Sequence, residues 1–142
     1  MEIIKITNNN LHYLQDFIKN KLSKNFRYFD KRDISVFNDH FTTLIGIIDN
    51  KPIAYGHIDF SKGENMHWLG ICILDDYHGK GYGKQMMNKL IEIFNDSSNI
   101  NKLYLTVDKD NIIAVKLYQK YLFKIYDENE TDTYYKMCLN KY

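Results

Sequence analysis

A three-layer α/β domain, with helices on both faces of a mixed, mostly antiparallel sheet, is the fold class that the sequence predicts. Three observations carry that reading. Apolar residues recur at helical spacing in three separate stretches, runs rich in β-branched and aromatic residues lie between them, and the two kinds of signal alternate along the chain. The 142 residues suit one domain, and 44% of them are hydrophobic, enough for a core without a metal or disulfide staple. No repeat, low-complexity tract or linker interrupts the chain, so residues 1–142 are read as a single domain.

Taken in order, residues 2–7 read as a first strand. Leu11, Leu14, Ile18 and Leu22 mark an amphipathic helix over about 10–22, and the aromatic, charged segment from Phe26 to Phe41 reads as partly helical. Thr42–Ile48 and Pro52–Phe60 are strands joined by the turn residues Asp49, Asn50 and Lys51, which predicts a hairpin. Met66–Leu74 is the next strand. The glycine-rich run His78–Gly83 follows, then a helix on which Met86, Met87, Leu90, Ile91 and Phe94 share a face. Leu103–Val107 is a short strand, and Asn111 is placed to cap a helix carrying Ala114, Leu117, Tyr118 and Tyr121. Phe123–Tyr126 and Thr133–Leu139 close the chain as a hairpin of strands.

Nineteen basic residues against eighteen acidic ones leave a formal charge of +1, so the chain lacks the basic excess of a protein that binds nucleic acid or an anionic membrane. No stretch approaches the roughly 18–20 apolar residues of a membrane span. Cys72 and Cys138 stand apart in apolar runs without a Cys/His cluster, which argues against a metal site and for two reduced thiols. A cytoplasmic protein is expected on these grounds. Seventeen Lys, fifteen Asn and twelve Tyr against two Ala point to a compositional bias, so a lone Tyr or Asn carries less weight here.

The run Gly79-Lys80-Gly81-Tyr82-Gly83-Lys84 lies between a strand and a helix, where main-chain N–H groups and the helix dipole together favour an anion. It is not a Walker loop, because Gln85 follows Gly83-Lys84 and His78 stands where that motif needs its first glycine. It is not a dinucleotide fingerprint either, since the spacing is G-x-G-x-G. His78-Gly79-Lys80-Gly81-Tyr82-Gly83 resembles instead the pyrophosphate loop Gln/Arg-x-x-Gly-x-Gly/Ala of the GCN5-related N-acetyltransferases, with His at the first position. Downstream, Asn111, Ala114, Leu117, Tyr118 and Phe123 match that family's second motif, with Leu122 where the family has glycine. The two motifs and the element order extend the resemblance from about residue 42 to the end.

The resemblance implies a GNAT-like sheet with a splayed strand pair and acetyl-CoA as cofactor. Backbone near Cys72 and Ile73 would meet the pantetheine arm. The amides of Gly79 to Lys84 would hold the pyrophosphate, with Lys80 and Lys84 adding charge. Asn111 is either a cofactor contact or simply the helix cap. Tyr118 matches the family's general acid, and a phenol with a pKa of about 10 stays protonated at pH 7; its alternative role is packing on a core-facing helix. His67 falls where relatives often carry a basic glutamate, while His57, Asp59 and Glu64 are the other candidates for the base, and water alone is a further option. Cys72 has no neighbouring base in sequence to activate it as a nucleophile.

For the acceptor, the resemblance points to residues 26–33, to the strands before the loop and to Tyr134 and Tyr135. Both arginines of the chain, Arg27 and Arg32, fall in that first stretch beside Tyr28, and arginine suits a planar anionic group. A surface ion pair with Asp30 or Asp33 is the structural alternative. The Arg-Tyr-Phe stretch with Tyr55-Gly56-His57 is similar to acetyltransferases of amino-sugar pathways, which places a nucleotide-linked amino sugar first among small-molecule amine acceptors. A peptide or protein amine, a polyamine and a drug-like amine stay open, as do a homodimer and a non-catalytic acyl-CoA sensor.

Overall fold

The computed structural model describes residues 1–127 and 131–141. Seven strands form one sheet: β1 (Glu2–Lys5), β2 (His40–Ile48), β3 (Lys51–Ser61), β4 (Met66–Ile73), β5 (Lys102–Asp108), β6 (Lys124–Asp127) and β7 (Tyr134–Asn140). Their spatial order is β1-β2-β3-β4-β5-β7-β6. Every neighbouring pair is antiparallel except β4 and β5, which run parallel and meet in register only at Trp68 and Tyr104. Beyond that point the two strands part. The expected mixed sheet with a splayed pair is therefore the architecture observed.

Three helices cover the sheet: α1 (His12–Ile18), α2 (Tyr82–Asp96) and α3 (Ile112–Lys120). Because strand side chains alternate between faces, neighbours on β3 show the layering. Tyr55 stacks on Phe17 of α1 with ring centroids 5.9 Å apart. Gly56, the next residue, faces α2 so closely that a Cβ there would lie 2.8 Å from Met86 and 3.0 Å from Leu90. The core fills both layers with fully buried side chains, among them Phe17, Ile45, Ile53, Met86, Leu90 and Phe94.

Local chemistry sets the element ends. Asp49 and Asn50 both take positive φ, 50° and 63°, as a two-residue hairpin turn requires. Helix α1 is shorter than its periodicity suggests because the Asn20 side chain donates to the carbonyls of Asp16 and Phe17, closing the last turn. Leu22 still packs on the core from outside the helix. The segment before β2 carries a single short 3-10 turn, Ile34–Asp39, begun by Asp33 accepting from the Ser35 amide.

Helix α3 ends at Tyr121, and Leu122 follows with φ of 72° and 71% exposure. That left-handed position usually belongs to glycine, since an L side chain there costs about 1–2 kcal/mol. Leu122→Gly should relieve most of that strain, offset by the glycine's greater freedom in the unfolded chain. A gain of about 0.5–1 kcal/mol, seen as a rise of about 2–3 °C in the thermal midpoint, is the expected result.

Candidate active site

The parting of β4 and β5 opens a cavity of about 860 Å³, within the size range of small-molecule sites. Its walls come from Leu69 to Ile73 of β4, Thr106 to Asp108 of β5, the loop and start of α2, the buried side of α3, and the segment 23–32. At its far end lie Asp59, Ser61, Glu64 and Trp68.

At the loop end, Gly79 and Gly81 have φ of 76° and 86°, and a Cβ at either would meet nothing within 4 Å. Glycine is needed there for backbone conformation, not for space. Gly81 is the N-cap of α2 and supplies no side-chain cap, so the first amides of this 15-residue helix are left for a ligand. Gly83 differs: it is helical, and an added Cβ would make ordinary contacts at 3.8 Å and 4.0 Å with Ile73 and Leu117. The departure to His78 has a physical role, because its Nε2 donates to the Ile73 carbonyl at 2.7 Å and ties the loop to the end of β4. One lone pair of that carbonyl is thereby occupied. Lys80 and Lys84 are exposed and stand outside the cavity walls, Lys80 with its Nζ 5.6 Å from the Tyr77 ring.

Tyr118 and Cys72 meet on the inner wall. Burial raises the Tyr118 phenol above its ordinary range, with the Cys72 sulfur adding to the effect, so the hydroxyl keeps its proton. Burial likewise pushes the Cys72 thiol up to about 12, which leaves it protonated and a poor nucleophile. Asn111 caps α3 by accepting from the Ala114 amide at 3.3 Å, and it also lines the cavity.

At the other end, a polar cluster sits on the α1 face of the sheet. The Tyr28 hydroxyl donates to Asp59 Oδ2 at 3.0 Å and lies 2.7 Å from His40 Nε2. Since the Tyr28 proton goes to the carboxylate, His40 Nε2 must be the donor to Tyr28. His40 Nδ1 in turn lies 2.8 Å from Thr43 Oγ1. Burial, then the Asp59 charge, raises the Tyr28 phenol. His57 is 3% exposed, its Nδ1 2.5 Å from the Tyr55 hydroxyl, and burial holds its imidazole well below the ordinary 6.5, with His40 and Arg32 adding repulsion. Phe26 and Phe29 pin the segment by packing on Tyr55, each with centroids 5.4 Å away.

The two arginines divide their roles. Arg27 grips Asp108 with two hydrogen bonds of 3.1 Å, so its ion pair is with β5 and not with Asp30 or Asp33. Arg32 stacks on the Tyr28 ring at 4.3 Å and donates to the Tyr28 carbonyl; among the described residues it forms no ion pair.

His67 requires a correction. It pairs with Phe60, one residue out of phase with Asp59 and Trp68, and so points to the opposite face of the sheet. There its ring packs on Phe60 and Phe41 with centroids 4.8 Å and 6.1 Å away, and it does not line the cavity. Tyr134 and Tyr135 also lie off the cavity. Sequence reasoning missed His40, whose place beside Tyr28 depends on the register that sets it opposite Asp59.

The sequence model of the acetyltransferase (GNAT) family matches residues 9–122. The chain belongs to this family. As a GNAT chain it shares the family's cofactor, acetyl-CoA, and the gap between β4 and β5, the left-handed glycines and the uncapped α2 suit that molecule's arm and pyrophosphate. Acetyltransferase PseH of Campylobacter jejuni strain 81-176 is 40% identical over 111 residues, 78% of this chain and 61% of that protein. A spermine/spermidine N(1)-acetyltransferase of Bacillus subtilis is 36% identical over 62 residues, 43% of this chain and 41% of the relative. The matched part thus spans less than two thirds of these relatives. A GNAT-family acetyltransferase of Streptococcus pneumoniae shares the fold, with a TM-score of 0.77 at 20% identity over 98% of both chains.

Two outcomes follow from this GNAT site. Gly81→Glu, adding bulk at a left-handed position and a charge beside the amides, should abolish acetyl-CoA binding in calorimetry, whereas Gly83→Ala should keep affinity within about threefold. His57 is held neutral in the fold but takes a proton near pH 6.5 when unfolded, so folding stability should fall as pH drops from 7 toward 5. Thermal midpoints measured across that range check it; a midpoint that stays flat or rises would contradict the buried neutral imidazole.

Proposed function

We propose that this chain is an acetyl-CoA-dependent N-acetyltransferase that acts on the primary amine of a small molecule, by direct attack within a ternary complex. The observation that carries the reading is one continuous cavity, running from the left-handed glycines at α2, past Tyr118, to Asp59 and Arg32. When bound, acetyl-CoA supplies the thioester acyl group. Gly79 to Lys84 would hold its pyrophosphate, with Lys80 and Lys84 as flanking positive charge, and the backbone of Cys72 and Ile73 would meet its arm.

Tyr118 holds the proton that the departing sulfur needs, and its burial supports that role by keeping the phenol protonated well above neutral pH. Asp59 is the group for the amine. Its Oδ2 accepts from Tyr28, which leaves Oδ1 to receive a hydrogen of the acceptor. Cys72 takes no covalent part. His67, on the other face, takes none either.

Among acceptors, an amino sugar linked to a nucleotide comes first. Arg32, which has no acidic partner among the described residues and stacks on Tyr28 at the mouth, suits a phosphate group. A polyamine suits the site less well, because Asp108 on the wall is already engaged by Arg27, which leaves Asp59, used by the reacting amine, and Glu64 as the acidic lining groups among the described residues. Relatives of the chain include a spermine/spermidine and an L-amino acid N-acetyltransferase, so both classes belong in any acceptor panel. Two free cysteines and the use of acetyl-CoA support action in the cytoplasm.

The test is thiol release from acetyl-CoA against amino-sugar nucleotides, polyamines, amino acids and peptides, with acetyl-CoA binding followed in parallel. Turnover with one class would identify the acceptor; binding without any turnover would favour a sensor. Tyr118→Phe should lower kcat by about 10²-fold or more while leaving acetyl-CoA affinity nearly unchanged. Equal kcat for the two proteins would remove Tyr118 from the chemistry.

A further inference from the structure

His57 and Tyr55 form a buried pair that the acid and base roles above do not use. Tyr55 is 0% exposed, and its hydroxyl has one hydrogen-bond partner among the described residues, His57 Nδ1 at 2.5 Å. A buried phenol must place its proton on an acceptor, so the Tyr55 hydroxyl donates and Nδ1 receives. The proton of the neutral imidazole therefore sits on Nε2.

That Nε2 has no partner among the described residues, and no buried side-chain nitrogen or oxygen among them lacks one. Nε2 therefore reaches the cavity that His57 lines. Gly70 makes this edge accessible. It stands opposite His57 on β4, and a Cβ there would come 2.5 Å from Nε2 and 2.7 Å from Cε1. Any larger residue would cover the N–H or push the ring off Tyr55. Asp59 lies one strand repeat further along the same face.

We propose that Tyr55 holds His57 as a fixed hydrogen-bond donor, its Nε2–H presented over Gly70 to an oxygen of the acceptor molecule close to the reacting amine. This rests on the acetyltransferase reading above and narrows its acceptor to amines that carry a neighbouring hydroxyl or carbonyl oxygen. Tyr55 is then a positioning residue and His57 a specificity-determining one. An amine without such an oxygen leaves the N–H buried against it with nothing to receive it, which costs binding. Amino sugars and amino alcohols meet the requirement. Polyamines, which contain no oxygen, do not.

The experiment compares glucosamine with cyclohexylamine, a ring amine of similar shape without oxygen, together with spermidine, in the intact chain with saturating acetyl-CoA. Wild type should favour glucosamine in kcat/KM by about tenfold or more. Tyr55→Phe, which removes one oxygen atom from the core, and His57→Phe should each raise the KM for glucosamine by about tenfold with kcat nearly unchanged. Neither should raise the KM for cyclohexylamine, which His57→Phe should lower by removing the N–H that this amine leaves unpaired, and His57→Gln, which restores an N–H donor, should recover part of the loss on glucosamine. Equal losses on both amines, or a fall in kcat common to all acceptors, would overturn the proposal and make His57 a support for the fold or for the developing oxyanion. Wild type that prefers spermidine or cyclohexylamine would overturn it as well, while leaving the acetyltransferase reading intact. Failure to bind acetyl-CoA at all would instead sink that reading, and this inference with it.

Discussion

The parting of β4 from β5 is the constraint on which the rest of the site depends. Two parallel strands that paired along their length would satisfy each other's backbone and leave no space between them. Here the register holds only at Trp68 and Tyr104, and the strand edges beyond that point turn toward a cavity. Unpaired main-chain groups in a core are costly unless something takes their place. A bound molecule with its own amides would do so, its arm lying between the strands and completing the sheet. The loop at the end of β4 and the N-terminus of α2 then meet whatever emerges from the gap. His78 secures that junction through the Ile73 carbonyl.

The opposite end of the cavity is built by a segment with little regular structure. Residues 19–33 cross the face of the sheet without a long helix, and they are held by aromatic rings in place of a backbone ladder. Phe26 and Phe29 pack against Tyr55, and Tyr28 reaches between them to Asp59 and His40. Arg27 adds a two-pronged anchor to Asp108 at the end of β5. The segment is thereby fixed to both sides of the splay. A buried polar cluster of this kind is stable only when each member is satisfied, and among the described residues no buried side-chain donor or acceptor is left over.

Much of this was legible in the letters. The element order and the cap at Asn111 follow from periodicity and side-chain chemistry, each of which acts over a few residues, and the two motifs from their resemblance to those of the family. Leu122 could be seen to break the second motif, and the structure gives the consequence as a left-handed leucine. The errors have one source. His67 and His57 look alike in sequence, a histidine on a strand near the loop, yet a single step of phase on paired strands puts them on opposite faces. His40 could not be found for the same reason, since only the register of β2 against β3 brings it to Asp59. Arg27 found its acid on β5, 81 residues away, rather than among its neighbours.

Desolvation then decides how the groups in the cavity can act. Removed from water, a phenol or thiol keeps its proton and an imidazole loses one, so Tyr118, Tyr28 and Cys72 are held neutral by protonation and His57 by its absence of a second proton. A site in that state has fixed donors and few groups able to change charge. A covalent route through Cys72 is disfavoured, because the burial that shapes the wall also raises its thiol pKa. What the site can do is orient a neutral amine against an acyl group and return a proton from Tyr118 to the leaving sulfur. The carboxylate of Asp59, already accepting one hydrogen bond from Tyr28, lines the end of the cavity assigned to the acceptor. Direct transfer is thus the chemistry we propose for these buried side chains, with selectivity resting on the donors that the sheet holds still.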